Sequence, residues 1–113
     1  VAAMSTVLTE FNKSLNNAQW YTSTHTALKP RLVMEKRKVP SGNQTVLEDT
    51  ITVLHATADA AGVNLPQRVS LSVTVRRPVD GAAADMTAAL AIFRDIIAGD
   101  EFALTTTSQK FLK

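Results

Sequence analysis

RVSLSVTVRRPVDGAAADMTAALAIFRDIIAG, residues 68–99, reads as one alternating strand, a break around Pro78 to Gly81, and one amphipathic helix. Side chains alternate across a strand, so Val69, Leu71, Val73 and Val75 share one face. Arg68, Ser70, Ser72, Thr74 and Arg76 share the other. Pro78 has no N–H to donate and ends the ladder, and Asp80 is the expected N-cap of the helix. Within that helix Met86, Ala89, Leu90, Phe93, Ile96 and Ile97 recur at spacings of three and four and form one apolar stripe. Gly99 falls where a left-handed C-cap is expected. Strand and helix are each apolar on one side only, so each needs a partner.

Upstream, Thr45–Thr57 reads as a long strand with Leu47, Ile51 and Val53 on one face and Glu48, Thr50 and Thr52 on the other. Asp49 and His55 interrupt its apolar side. Ala58–Gln67, ADAAGVNLPQ, reads as a ten-residue loop. Arg31–Lys38 is a further strand, with Leu32 and Met34 assigned to one face and Arg31, Glu35 and Arg37 to the other. Pro40, Ser41, Gly42 and Asn43 give the hairpin turn that follows it. Gln19–Leu28, threonine-rich with Trp20, Tyr21 and His25, suits another strand, broken by Lys29-Pro30. Met4–Phe11 fits one strand or a helical turn, with a turn at Asn16-Asn17. Downstream, Asp100-Glu101 can open a second short helix, which Thr105-Thr106-Thr107 keeps from running long. Phe111 and Leu112 are expected to dock.

Strands followed by helices, with mostly short connections, predict an α+β fold built on an antiparallel β-meander. The expected organisation is a single domain over 1–113. It holds an N-terminal strand or hairpin in 1–17, the antiparallel sheet in 18–78 and C-terminal helices in 79–113. A sheet of four or five strands is about 20 Å wide at ~4.8 Å per strand. One helix, about 10 Å across, does not cover it. An uncovered valine- and isoleucine-rich face is what monomers avoid. The economical solution is a two-fold homodimer in which Met86, Leu90, Phe93, Ile96 and Ile97 of each chain pack on the partner.

The bulk composition agrees with a globular protein: 113 residues, 45% hydrophobic and 19% charged, with a net charge of +2. Cysteine is absent, which excludes disulfides and thiolate metal sites. No run approaches the ~18 apolar residues of a membrane helix, and no basic-then-apolar leader opens the sequence, so no membrane partner is expected. Residues 1–80 carry nine Lys and Arg against six Asp and Glu, while 81–113 carry three against four. The basic excess thus lies with the strands, a mild pointer to a polyanion there.

Catalytic chemistry finds little footing. His25 and His55, the only histidines, lack metal-like spacing, and no nucleophile elbow, phosphate loop or HExxH occurs. His55 reads as a hydrogen-bonded strand-end residue, Asp49 as an interface ion-pair partner, and Asp100-Glu101 as acids at a helix start. No cofactor, metal or catalytic residue is expected, and the protein is not expected to be an enzyme.

The order of elements resembles the coat proteins of single-stranded RNA bacteriophages, the leviviruses. The resemblance is carried most by VSLSVTVRRPVDGAAADMTAALAIFRDIIAGDEF, where a Ser/Thr-alternating strand meets an Arg-Arg-Pro break, a helix and an acidic restart. The Lys36–Thr45 hairpin and the Asn64-Leu65-Pro66 segment match as well. Only one strand is legible in 1–17, where the family has a hairpin. The resemblance implies interlocked dimers that build an icosahedral shell around the genomic RNA. It also implies location in the virion after assembly in the bacterial cytoplasm, and translational repression through an RNA hairpin. The matching RNA-binding face carries Arg31, Arg37, Thr50, Thr52, Ser70, Ser72, Thr74 and Arg76. Arginine neutralises phosphate, and hydroxyls both donate to and accept from splayed bases. Glu35 and Glu48, on the same face in this reading, would repel phosphate, and Tyr21 is the one aromatic candidate for stacking a base. The second reading is a small dimeric cellular module that binds RNA or protein through its sheet. The long Ala58–Gln67 loop favours a shell contact over such a module.

Overall fold

The computed structural model describes residues 3–38 and 45–113. The hairpin turn expected at Pro40, Ser41, Gly42 and Asn43 lies outside them. The chain forms two compact units, Val1–Pro78 and Val79–Lys113. The first is a five-stranded antiparallel sheet of β1 (Thr9–Lys13), β2 (Asn17–Tyr21), β3 (Arg31–Lys38), β4 (Val46–Ala58) and β5 (Asn64–Pro78). Spatial order equals chain order, so the sheet is the expected meander. The second unit holds two helices, α1 (Ala83–Ala98) and α2 (Asp100–Ser108).

Residues paired directly across antiparallel strands share a face. Ile51 therefore sits beside Val73, and Val53 beside Leu71 and Val33, with Trp20 completing that row. The opposite face carries Thr50 beside Thr74 and Thr52 beside Ser72. The alternation read from β4 and β5 is the observed one. β3 is inverted relative to expectation: Leu32 and Met34 lie with Leu54 and Thr52 on the hydroxyl face, while Arg31, Glu35 and Arg37 lie with His55, Ile51 and Asp49 on the apolar face. Leu32-Val33-Met34 is a run of three apolar residues, so its own pattern does not choose a face. Pairing of Val33 between Trp20 and Val53 does.

Three connections also differ from expectation. The N-terminal segment is a true hairpin, β1–β2, closed where the Ser14 N–H donates to the Asn17 carbonyl at 2.8 Å. Asn17 thus begins a strand rather than lying in a turn. The strand expected over 19–28 stops at Tyr21, and the backbone then loops to Pro30. The His25 N–H donates to the Thr22 carbonyl (3.1 Å), and His25 Nδ1 accepts the Arg31 N–H (3.0 Å). These bonds hold a compact turn that threonine content alone does not announce.

The ten-residue loop shrinks to Asp59–Val63, because Asn64–Gln67 already belong to β5. Pro66 signalled a loop, yet β5 is an edge strand, where a missing N–H costs no ladder bond. One carboxylate organises the turn: Asp59 Oδ1 accepts the N–H groups of Ala61 and Val63, both at 2.9 Å. Gly62 adopts φ +85°, the left-handed region that a side chain disfavours.

In the helical unit, α1 begins after Ala82 with no side-chain cap, so Asp80 does not serve as the N-cap. It stands in the preceding turn. Gly99 is extended (φ −78°, ψ 155°) instead of left-handed. The reason is the immediate restart: Gly99 also precedes the first residue of α2, and an N-cap takes extended backbone. The left-handed cap belongs to Gln109 (φ 53°), which closes α2. α2 is short as expected, and its threonines turn inward, with Thr105 and Thr107 hydroxyls donating to the carbonyls of Glu101 and Ala103. Phe111, expected to dock, is 92% exposed.

Two predictions follow from the sheet. Gly62→Ala meets no neighbouring atom, so its cost is conformational alone, about 1 kcal/mol, read as a lower urea midpoint at unchanged slope. Glu48 and Arg76 are paired across β4 and β5, with Oε2 to Nε 3.6 Å, but Arg76 is exposed and Glu48 only half-buried. A double-mutant cycle with Glu48→Ala and Arg76→Ala is expected to return a coupling below ~1 kcal/mol that falls with salt.

Candidate nucleic-acid interface

Strand register assembles the hydroxyl face in rungs. One runs Asn12, Gln19, Met34, Thr52, Ser72 across all five strands. Asn12 Nδ2 donates to Gln19 Oε1 (3.4 Å), and Gln19 Nε2 points to Met34 Sδ (3.8 Å). The next runs Asn17, Lys36, Thr50, Thr74, with the two threonine hydroxyls 3.4 Å apart. Beyond it lie Lys38, Glu48 and Arg76, and on the other side Tyr21, Leu32, Leu54 and Ser70.

Six of the eight residues expected on this face are therefore together: Thr50, Thr52, Ser70, Ser72, Thr74 and Arg76. Arg31 and Arg37 are not; both project from the apolar face, Arg37 opposite Asp49. Lys36 and Lys38 take their place. The signal was the lysines' even numbering, in phase with Glu48 and Thr50 once β3 pairs with β4, but the phase of β3 could not be fixed from β3 itself. Arg68 joins them opposite Ala56.

The electrostatics change with the assignment. Glu35 leaves this face, and Glu48 is matched by Arg76. Among the described strand residues the face then carries Lys36, Lys38, Arg68 and Arg76 against the single carboxylate of Glu48. Two shallow concavities open on it. One of about 240 Å³ is lined by Asn17, Gln19, Met34, Lys36, Thr50 and Thr52 among others. The other, about 660 Å³, is shared with the opposite side: Asn16 and Arg37, the latter paired on the apolar face, line it together with Lys36, Lys38, Glu48 and Thr50. Flexible cations beside hydroxyls and amides suit a phosphate backbone with bases turned toward the protein.

At the β1–β2 end stands an aromatic ladder. Phe11 stacks on Tyr21 with centroids 4.0 Å apart and planes 11° from parallel. Tyr21 stacks on His25 at 3.9 Å and 16°. Ala56, at the start of the Arg68 rung, is 7% exposed and is the one buried residue among those described. His55 pairs with Arg31 and Val69 on the apolar face, and no group of three acidic or histidine side chains able to hold a metal occurs among the described residues.

The five residues expected at a dimer interface lie on α1, which has no buried residue. Leu90, Phe93, Ile96 and Ile97 are exposed, and Met86 is half-buried. Among the described residues no helix is long and apolar enough to cross a membrane.

No protein-family model matches this chain, and no curated protein matches it in sequence. Solved structures do. A virus-like particle of Beihai levi-like virus 21 superposes with a TM-score of 0.78 at 10% identity, covering 93% of this chain and 86% of the other. That of bacteriophage ESE020 gives 0.73 at 16%, covering 97% and 92%. The particle of bacteriophage AC gives 0.71 at 12%, covering 95% and 100%. Over nearly its whole length, a meander of five strands followed by two helices, the chain has the fold of the proteins that form levi-like virus and bacteriophage particles.

Proposed function

We propose that this protein is the coat protein of an RNA bacteriophage, a structural rather than catalytic role, and that it assembles through homodimers into an icosahedral shell around single-stranded genomic RNA. The observation that carries this reading is the pairing of two unlike faces on one sheet. One face is apolar along Trp20, Val33, Val53 and Leu71, and the other is basic and hydroxyl-rich. Apolar surface of that extent is stable only when covered, and a partner's α1 stripe offers apolar surface of the right kind. The basic face is left for RNA on the shell interior. Repression of translation through an RNA hairpin at this same face, assembly in the bacterial cytoplasm and residence in the virion complete the proposal.

Charge placement gives the discriminating experiment. Each phosphate neutralised contributes about 0.7 to the slope of log K against log salt for single strands. Lys36→Gln with Lys38→Gln should lower that slope by about 1.4 in fluorescence-anisotropy titrations with a single-stranded RNA. Arg31→Gln should leave it unchanged; the reverse pattern overturns the assignment of faces. Phe93→Asp places a carboxylate in the α1 stripe. Sedimentation is expected to show loss of dimers and of particles, and dimers that persist at wild-type strength overturn the proposed interface.

A further inference from the structure

β1 and β2 are out of step by one residue between Glu10 and Asn12, where β1 bulges. Glu10 pairs with Trp20 on the apolar face and Asn12 with Gln19 on the hydroxyl face. Phe11 is the extra residue, and its ring lies on Tyr21, whose partner Leu32 belongs to the hydroxyl face. The bulge thus sets two consecutive side chains, a ring and an amide, on the same side of the sheet, which a regular strand does not do.

In the stack, Tyr21 is covered on both sides, by Phe11 and by His25. The Phe11 end is different: β1 is the edge strand, and Phe11 is 41% exposed. An aromatic ring at the edge of a basic, hydroxyl-lined sheet, held by two rings behind it, is preorganised for one more planar group. The Asn12 amide beside it is engaged through its nitrogen with Gln19, and its oxygen accepts no hydrogen bond among the described residues.

The geometry points to Phe11 as a stacking site for an unpaired RNA base, with the Asn12 amide oxygen beside the base edge as an acceptor. This rests on the proposed RNA-binding face and extends it to a further subsite toward β1, next to the Gln19 edge of the Lys36 and Thr50 concavity. The site takes a base by its π-face and so tolerates sequence, while Asn12 favours bases that offer an N–H on the facing edge.

The test compares a uridine decamer with an abasic ribose-phosphate decamer of equal charge, on wild type and on Phe11→Leu, by anisotropy at fixed salt. The wild type is expected to prefer the uridine strand by about ten-fold, the scale of one stacked base. Phe11→Leu is expected to abolish most of that preference and to leave abasic binding unchanged. Equal binding of both strands by the wild type overturns the stacking site while leaving the RNA-binding face intact. No binding of either strand overturns the face itself. Photocrosslinking of a 5-iodouridine decamer to the wild type needs no variant: an adduct on Phe11 is expected, and adducts confined to residues outside β1 and β2 overturn the site.

Discussion

A slip of one residue between β3 and β4 would exchange every side chain of β3 between the two faces of the sheet. The observed register is held by Val33 between Trp20 and Val53, and by eight consecutive pairs from Arg31↔His55 to Lys38↔Glu48. Everything functional depends on that choice. It sends Lys36 and Lys38 to the hydroxyl face and Arg31 and Arg37 to the apolar one, and it removes Glu35 from the neighbourhood of any bound phosphate. A sheet with the same composition in the other register would set Glu35 and Glu48 together on the hydroxyl face and turn Lys36 and Lys38 to the apolar one.

The apolar face is the complementary half of the same constraint. Its centre is Trp20, Val33, Val53 and Leu71, while its margins carry Arg37 beside Asp49 and Arg31 beside His55. Apolar centre and polar rim is the anatomy of a protein–protein interface rather than of a domain core. That matches a chain with one buried residue among those described, and helices with none. The proposed homodimer places much of the hydrophobic stabilisation of this sequence between copies, and so links folding to association through concentration.

How far the sequence reveals this differs by segment, for physical reasons. β5 and α1 were legible because their periods, two and about 3.6, persist over many residues. β3 was legible as a strand but not as to its faces, since Leu32-Val33-Met34 has no period. The β1–β2 hairpin was half visible, because strands of five residues carry few alternations and a bulge breaks them. Pro66 misled because edge strands tolerate proline, and Gly99 because a glycine after a helix can serve the next helix instead of closing the last. In the candidate site, the hydroxyls were found from β4 and β5 alone. The lysines and the Phe11–Tyr21–His25 ladder required tertiary register and a loop conformation that no local pattern encodes.

The meander has one more consequence, in time rather than in space. Each strand pairs with the one made just before it, so the sheet involves no crossover. A hairpin between consecutive strands can zip from its own turn, with no later segment needed first. Strand pairing can then keep pace with synthesis and precede any encounter with a second copy. In the proposed assembly the steps that remain after folding are bimolecular, so the yield of particles follows how much chain is made.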